Sequence, residues 1–203
     1  MSQFVIVLGP WSSGTTAVAG ALDKLGAYTC PPHHRTPDPR TPTSFEPEEL
    51  RTILAQYVNE PQLGIAGDRM KMMHDIGTWL QRTVPPEIQQ SGVVAMKHPL
   101  FGLMVPQLIS LLRPKFLVVR RPYGDIERTR IRRQWPAIYG YLGARLLYGS
   151  IYHDLVGYDM NFMDVSYPEV LTNPEREIDR IAEYAGLDKD GKLRSAAVDF
   201  VRR

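Results

Sequence analysis

A strand, a glycine-bounded loop and a helix follow one another at the start of the chain, and this unit restricts the fold more than any other segment. Residues 4–8 (FVIVL) form an apolar, β-branched run typical of a strand that is buried on both faces. The loop at residues 9–16 (GPWSSGTT) follows, and apolar residues then recur at helical spacing up to Gly26. Because N–H groups at a helix N-terminus converge and carry positive partial charge, this loop is predicted to bind an anion.

Apolar runs alternate with helical patterns along the rest of the chain. Buried strands are predicted at residues 93–96, 116–119 and 163–167, and helices at residues 50–58, 103–112, 125–133 and 174–186. Such alternation predicts a largely parallel sheet flanked by helices. The chain has 203 residues, the size of one domain, so we expect a single α/β, P-loop-like domain over residues 1–203.

Residues 31–47 contain six prolines. Proline removes a backbone donor and restricts its neighbours, so this segment is predicted to be an irregular surface loop or lid. His33 and His34 lie within it, but no cluster of His, Cys and carboxylates at metal-ligand spacing accompanies them, so no metal site is predicted.

Composition narrows the classes of partner. The net charge of +2 argues against a general nucleic-acid-binding protein, although the arginine-rich stretch between Arg113 and Arg133 suits an anionic ligand. The apolar run at residues 4–8 is far too short to span a bilayer and lacks the flanks of a signal peptide. The single cysteine, Cys30, favours a reducing compartment. We expect a cytoplasmic protein with neither nucleic-acid nor membrane partners, and the sequence carries no signal for its oligomeric state.

The loop has the spacing of the nucleotide-triphosphatase motif G-x-x-x-x-G-K-[ST], but Thr15 occupies the lysine position. That lysine normally contacts the β- and γ-phosphates, so this loop is poorly suited to bind a triphosphate. The backbone and hydroxyl groups that remain are still suited to an anion. The predicted anion-binding residues of the loop are Ser12, Ser13, Gly14, Thr15 and Thr16.

The segment 12–16 (SSGTT), followed by AVAGAL, resembles the 5′-phosphosulfate loop of PAPS-dependent sulfotransferases, particularly the bacterial group that begins G-x-x-R-S-G-T-[ST]. In that family the residue before S-G-T is usually Arg or Lys, and here it is Ser12. Lys97 is the expected substitute for the missing charge, provided that its strand ends beside the loop.

Three further segments extend the resemblance. Arg120-Arg121-Pro122 is similar to the family's 3′-phosphate motif R-x-P-x-x-x-x-x-S, in which Arg120 matches the arginine and the serine position falls on Arg128, next to Thr129. The resemblance therefore implies 3′-phosphate contacts from Arg120 and from Arg128 or Thr129. Residues 96–99 (MKHP) resemble the family's lysine segment, and residues 165–187 resemble its closing helix.

The resemblance implies transfer of a sulfuryl group from PAPS to a hydroxyl or amine of a small molecule or glycan, with PAP as product and without a metal. His98 is the leading catalytic base, since an unperturbed imidazole titrates near neutrality and cytosolic members of the family use a histidine here. Lys97 would stabilise the departing bridging oxygen. Glu46 is the rival base, because other branches use a carboxylate.

Two alternatives stay open at this point. A small-molecule P-loop kinase is disfavoured by Thr15 in place of the loop lysine and by the lack of a convincing aspartate for magnesium. A non-catalytic module that binds a nucleotide or a sulfated ligand is kept open by Ser12 and Arg128, which both depart from the family pattern.

Overall fold

The computed structural model of the protein describes residues 2–188 and 191–202. Within these residues the strands are Gln3–Leu8 (β1), His33–Arg35 (β2), Thr43–Pro47 (β3), Val58–Asn59 (β4), Gly64–Ile65 (β5), Val93–Lys97 (β6), Lys115–Arg120 (β7) and Phe162–Ser166 (β8). The α-helices are Thr15–Lys24 (α1), Glu48–Leu54 (α2), Arg69–Thr83 (α3), Pro86–Ser91 (α4), Val105–Leu112 (α5), Tyr123–Arg132 (α6), Tyr141–Gly157 (α7), Tyr167–Thr172 (α8), Pro174–Ala185 (α9) and Gly191–Val201 (α10). Short 3₁₀ turns lie at Glu60–Gln62, Pro99–Leu103 and Ala137–Tyr139.

Strands β6, β1, β7 and β8 form one sheet in that order, and every neighbouring pair in it is parallel. In the register of this sheet, Val7 of β1 lies opposite both Lys97 of β6 and Leu117 of β7. The chain leaves β1 for β6 on one side and then crosses to β7 on the other. The direction of winding thus reverses at β1, and in open α/β sheets ligands bind at the carboxyl ends of strands at such a switch point.

The sheet is covered on both faces, as its continuous apolar strands predict. Val5 and Val7 pack with α1, α9 and α10, whereas Ile6 and Leu8 pack with α3, α5 and α7. Alternate side chains of a strand point to opposite faces, so each of these runs supplies both cores. The predicted α/β, P-loop-like parallel sheet flanked by helices is confirmed.

The prediction of irregular structure throughout residues 31–47 is wrong. Strands β2 and β3 pair antiparallel, with His33 opposite Pro47 and Arg35 opposite Thr43, and residues 36–42 form the tip of this hairpin. Its prolines lie where a missing N–H is best tolerated: before β2, in the tip, and at the end of β3, where Pro47 stands opposite His33.

The hairpin is attached to the rest of the protein at both ends. At the tip, the Asp38 carboxylate accepts hydrogen bonds from Arg133 Nε at 2.8 Å and from Arg132 Nη2 at 3.2 Å. At the base, the Thr16 hydroxyl donates to the Ser44 carbonyl at 3.4 Å, and the buried Phe45 ring packs edge-on against Phe200, with centroids 5.8 Å apart. The hairpin therefore bridges α6 and the anion loop.

Two helical glycines with contrasting surroundings, one in α1 and one in α7, allow a test of this packing. A Cβ at Gly20 would lie 2.1 Å from Cε1 of Phe200, whereas a Cβ at the exposed Gly149 would meet nothing within 4 Å. We expect Gly149→Ala to raise the free energy of unfolding by about 0.5–1 kcal/mol, because alanine is the better helix former. Gly20→Ala should lower it by about 1–3 kcal/mol, because overpacking outweighs that gain. Urea denaturation measures both, and equal stabilisation by the two variants would contradict the tight packing of α10 on α1.

Candidate active site

The loop between β1 and α1 needs glycine at two positions. Gly9 has a φ of 152° and Gly14, which precedes α1, has a φ of 100°. A Cβ at Gly9 would lie 2.9 Å from the Val119 carbonyl oxygen, and one at Gly14 would lie 2.2 Å from the Tyr167 ring. The loop can therefore pass close to β7 and to Tyr167 only because these residues lack side chains.

The loop also presents polar groups without partners. The hydroxyls of Ser12 and Ser13 are buried and make no hydrogen bond within the described part of the chain. No side chain caps α1, so the N–H groups of its first turn face the loop. Unpaired buried polar groups are unfavourable, and an anion in the loop would satisfy them. All five predicted loop residues lie together at this point, with Thr16 also joined to the hairpin.

Glu46, Lys97 and His98 come together although they are distant in the sequence. Lys97 Nζ donates to Glu46 Oε1 at 2.6 Å and to the Ser44 carbonyl at 3.2 Å. Arg51 Nη1 donates to the other Glu46 oxygen at 3.2 Å. Burial alone would raise the pKa of the Glu46 carboxyl, but the neighbouring basic groups, Lys97 foremost and Arg51 among them, together outweigh it and hold the pKa at about 2. Glu46 is therefore a carboxylate at neutral pH.

His98 has a lower pKa than the value near neutrality that the sequence led us to expect. Its Nδ1 accepts the N–H of Leu100 at 3.2 Å, and its Nε2 lies 3.9 Å from Glu46 Oε2. Burial lowers the pKa of His98 to about 4, although the nearby carboxylate acts in the opposite direction. At neutral pH the imidazole is uncharged, and the acceptor role of Nδ1 places its proton on Nε2.

A cavity of about 380 Å³ adjoins this cluster. His98 and Leu100 form one wall, and α2 with the following 3₁₀ turn forms the other. The wall contributed by these elements consists of Arg51, Ala55, Val58, Asn59, Glu60 and Pro61. The cavity therefore has apolar and charged surfaces side by side, next to the only imidazole of the cluster.

A second cavity of about 600 Å³ lies beyond the carboxyl ends of β7 and β8. Its lining consists of Arg120, Arg121, Pro122, Tyr123, Arg145, Tyr148, Gly149, Tyr152, Ser166 and Pro168. Arg120 Nε donates to Asp164 Oδ1 at 2.9 Å, and the Tyr152 hydroxyl donates to the same oxygen at 2.5 Å. Asp164 thus holds Arg120 through Nε, and Tyr152 in turn holds the Asp164 carboxylate.

The other two residues of the predicted 3′-phosphate motif do not line this cavity. Arg128 forms an ion pair with Asp125 one helical turn earlier, and its side chain is 76% exposed. Thr129 donates its hydroxyl to the Asp125 carbonyl at 2.9 Å and accepts a bond from Arg121 Nη1 at 3.3 Å. The structure thus brings Thr129 to Arg121 and leaves Arg128 in solvent.

Arg121 contacts the anion loop directly, a role that the sequence did not assign to it. Its Nη1 donates to the Ser12 carbonyl at 2.8 Å, and its guanidinium lies over the Tyr167 ring at 5.2 Å from the centroid. The available signal was the second arginine of the R-R-P segment, which directly follows the predicted strand at residues 116–119. The resemblance assigned the phosphate contact to Arg120 instead.

These groups follow the order of the strands. The Glu46 cluster lies at the end of β6, the anion loop at the end of β1, and Arg120 and Arg121 at the end of β7. Parallel strands end at the same edge of a sheet, so the three groups share one edge with the loop in the middle. The arrangement can hold an elongated anionic ligand, with a second molecule beside the Glu46 cluster.

Solved sulfotransferases have the same fold. The sulfotransferase domain of the Synechococcus PCC 7002 olefin synthase has a TM-score of 0.58 at 16% identity, and the match covers 95% of this chain and 77% of that one. Sulfotransferase STF1 from Mycobacterium tuberculosis H37Rv has a TM-score of 0.64 at 14% identity, with 97% and 71% covered. STF9 from Mycobacterium avium has a TM-score of 0.58 at 14% identity, with 98% and 67% covered. No family model matches the chain, and no curated protein matches it in sequence.

Two kinds of feature are absent from residues 2–188 and 191–202. No helix among them combines the length and the apolar character needed to cross a bilayer. No three side chains of His, Cys, Asp or Glu among them are grouped so that they could hold a metal ion.

We expect the free energy of unfolding to decrease as the pH is lowered from about 6.5 to about 4, the ordinary and folded pKa values of His98. Within that window the unfolded state binds a proton that the folded state does not, which lowers stability by about 3 kcal/mol in all. His98→Asn keeps an acceptor for the Leu100 N–H but cannot titrate, so its stability should depend less on pH. Urea denaturation at pH 7, 5.5 and 4.5 measures how the free energy of unfolding depends on pH. The same dependence in the wild type and in His98→Asn would contradict a neutral, buried His98.

Proposed function

We propose that this protein is a PAPS-dependent sulfotransferase that moves a sulfuryl group to a hydroxyl or amine of a small molecule or glycan and releases PAP. The observation that carries the proposal is the order of three groups along one sheet edge: a base and lysine cluster, an anion loop, and a pair of arginines. Sulfuryl transfer requires a proton acceptor, a held phosphosulfate and a bound nucleotide in that order. The fold shared with solved sulfotransferases supports the same function.

The anion loop suits the phosphosulfate. The Ser12 and Ser13 hydroxyls lack partners, and the free N–H groups of the first turn of α1 are the donors that such a ligand needs. Gly14 lets the Tyr167 ring pack against the loop, and its φ of 100° is one that glycine adopts readily. Thr15 at the lysine position disfavours a triphosphate, and this weighs against the kinase alternative.

The 600 Å³ cavity suits the nucleoside and its 3′-phosphate. Arg120 lines it and is oriented through Nε by Asp164, so its terminal nitrogens can form the two parallel bonds that a phosphate accepts. Ser166 lines the same cavity. Arg128 would have to leave Asp125 to reach the ligand, and we retain it, with Thr129, as a proposed second contact.

On the acceptor side, the remaining lone pairs favour Glu46 over His98 as the base. His98 has its proton on Nε2 and uses Nδ1 for Leu100, so no lone pair of the ring is available. The Glu46 oxygens accept one bond each from Lys97 and Arg51, and the carboxylate keeps further lone pairs that can take the proton of a hydroxyl. We therefore propose that Glu46 takes the acceptor proton, that His98 Nε2–H orients the acceptor, and that Lys97 stabilises the bridging oxygen.

Donor choice is the first test of this proposal. Adenosine 3′,5′-bisphosphate should raise the melting temperature of the protein far more than AMP or ATP with magnesium. The reason is that the proposed site has a separate place for each of its two phosphates. At a hundredfold excess over Kd, binding contributes about 2.7 kcal/mol of stability. A larger shift from ATP with magnesium would favour the kinase, and equal shifts from AMP and the bisphosphate would contradict a 3′-phosphate site.

Arg120→Gln is the matching variant. It should weaken the bisphosphate by about 2–3 kcal/mol, the scale of a lost charged hydrogen-bond pair, and leave AMP affinity nearly unchanged. Arg69→Gln is the control, because Arg69 is exposed at the start of α3 and lines neither cavity. Calorimetry with both nucleotides gives the affinities, and an equal loss of both in Arg120→Gln would indicate damage to the fold.

Turnover identifies the base and separates an enzyme from a binding module. With the most active acceptor from a panel of phenols, alcohols, monosaccharides and amines, at saturating PAPS, Glu46→Gln should lower the rate about a hundred- to ten-thousand-fold. His98→Asn should lower it much less. Both variants should keep their affinity for the bisphosphate, since neither side chain contacts the nucleotide. The reverse pattern of rates would return the base role to His98, and binding without turnover of any acceptor would favour the module.

A further inference from the structure

The anion loop contains no cationic side chain of its own. Its sequence is GPWSSGTT, so helix N–H groups and hydroxyls are the only donors that it supplies. A phosphosulfate carries two negative charges, and its binding in a partly buried loop calls for a neighbouring cation. The cation must therefore come from another element of the fold.

Two of the three candidate cations already have carboxylate partners. The Lys97 ammonium lies 2.6 Å from Glu46 Oε1, and the side chains of this pair are only 5% and 9% exposed. Arg120 is paired with Asp164 at 2.9 Å. Each of these positive charges is largely compensated in place, which reduces what it can offer to the loop.

Arg121 is the third candidate, and no carboxylate among residues 2–188 and 191–202 forms an ion pair with it. Its Nη1 donates to the Ser12 carbonyl and to the Thr129 hydroxyl, which are both neutral acceptors. Its Nε and Nη2 donate to no described residue, and the side chain lines the 600 Å³ cavity. Arg121 therefore brings an uncompensated charge and free donors to the loop.

Tyr167 holds this guanidinium in place. The ring lies under Arg121 at 5.2 Å and also covers Gly14, where a Cβ would come within 2.2 Å of it. One aromatic side chain thus contacts both the cation and the glycine that precedes α1. A guanidinium held on an aromatic face loses less freedom when it binds an anion.

We propose that Arg121 is the cation of the anion loop and binds the 5′-side anion of the donor, while Arg120 serves the 3′-phosphate. The identity of the nucleotide rests on the proposed function. The assignment of Arg121 to the 5′ side rests on its bond to Ser12 and on its unpaired charge.

Three nucleotides distinguish the roles of the two arginines: adenosine 3′,5′-bisphosphate, 5′-AMP and 3′-AMP. The affinity for each is measured by calorimetry. Arg121→Gln should lower the affinity for the bisphosphate and for 5′-AMP about ten- to a hundredfold, and leave 3′-AMP within about twofold of wild type. Arg120→Gln should show the opposite selectivity between 5′-AMP and 3′-AMP. Arg69→Gln, with the same change in net charge, should match wild type with all three.

Arg121 also stabilises the loop through its bond to the Ser12 carbonyl. Further variants distinguish the effect of its charge on binding from this structural effect. Arg121→Lys keeps the charge and should retain most of the affinity for the bisphosphate, whereas a purely structural role would make it as weak as Arg121→Gln. Ser12→Arg in the Arg121→Gln background returns a cation to the loop and should recover at least part of the loss. Failure of both variants to exceed Arg121→Gln would overturn the proposal.

The outcomes for this proposal and for the proposed function are separable. If wild type binds the bisphosphate no better than 5′-AMP, the 3′-phosphate site fails, but the effect of Arg121→Gln on 5′-AMP still tests the loop cation. If wild type prefers the bisphosphate and Arg121→Gln loses nothing, or loses 3′-AMP as strongly as 5′-AMP, only the role of Arg121 is overturned.

Discussion

The parallel hydrogen-bond ladder that joins β1 to both β6 and β7 determines where every group of the site lies. Val7 is opposite Lys97 on one side and Leu117 on the other, so the segments that follow these residues leave the sheet at the same edge. Successive side chains alternate between faces, and a slip of one residue between β1 and β6 would turn Lys97 to the opposite face and away from Glu46. The apolar alternation of Ile6 and Val7, which face two different cores, opposes such a slip.

The buried pair of Glu46 and Lys97 contributes more to chemistry than to stability. Removing two charges from water offsets much of their attraction, so a pair of this kind adds little net stability. It does keep Glu46 ionised in a place where burial alone would raise the pKa of the carboxyl. The same pair ties β3 of the hairpin to β6 of the sheet. A carboxylate and an ammonium are thus kept charged beside the neutral His98, as the proposed proton transfer requires.

The parts of the fold that depend on local sequence patterns could be predicted from the sequence. The four sheet strands and the anion loop follow from apolar runs and glycines, and the structure has them. The sequence did not predict α7, because leucines occur all around that helix: Leu142 is exposed and Leu147 is buried. The β2–β3 hairpin was not predicted, because the number of prolines in a segment does not show which backbone N–H groups form strand hydrogen bonds. The contact of Arg121 with Ser12 joins residues far apart in the chain, and only the assembled sheet brings them together.

The carbonyl of Ser44 accepts hydrogen bonds from both the Thr16 hydroxyl and the Lys97 ammonium. It thereby connects the anion loop with the cluster at the end of β6. This link uses a main-chain atom, which every amino acid possesses. The side chain of Ser44 is not part of this link, but its hydroxyl donates to the His34 carbonyl and accepts the Glu46 N–H, and so holds the backbone path on which the link depends. Comparison of sequences alone would overlook this atom, and a search for equivalent proteins would do better to compare the course of the hairpin.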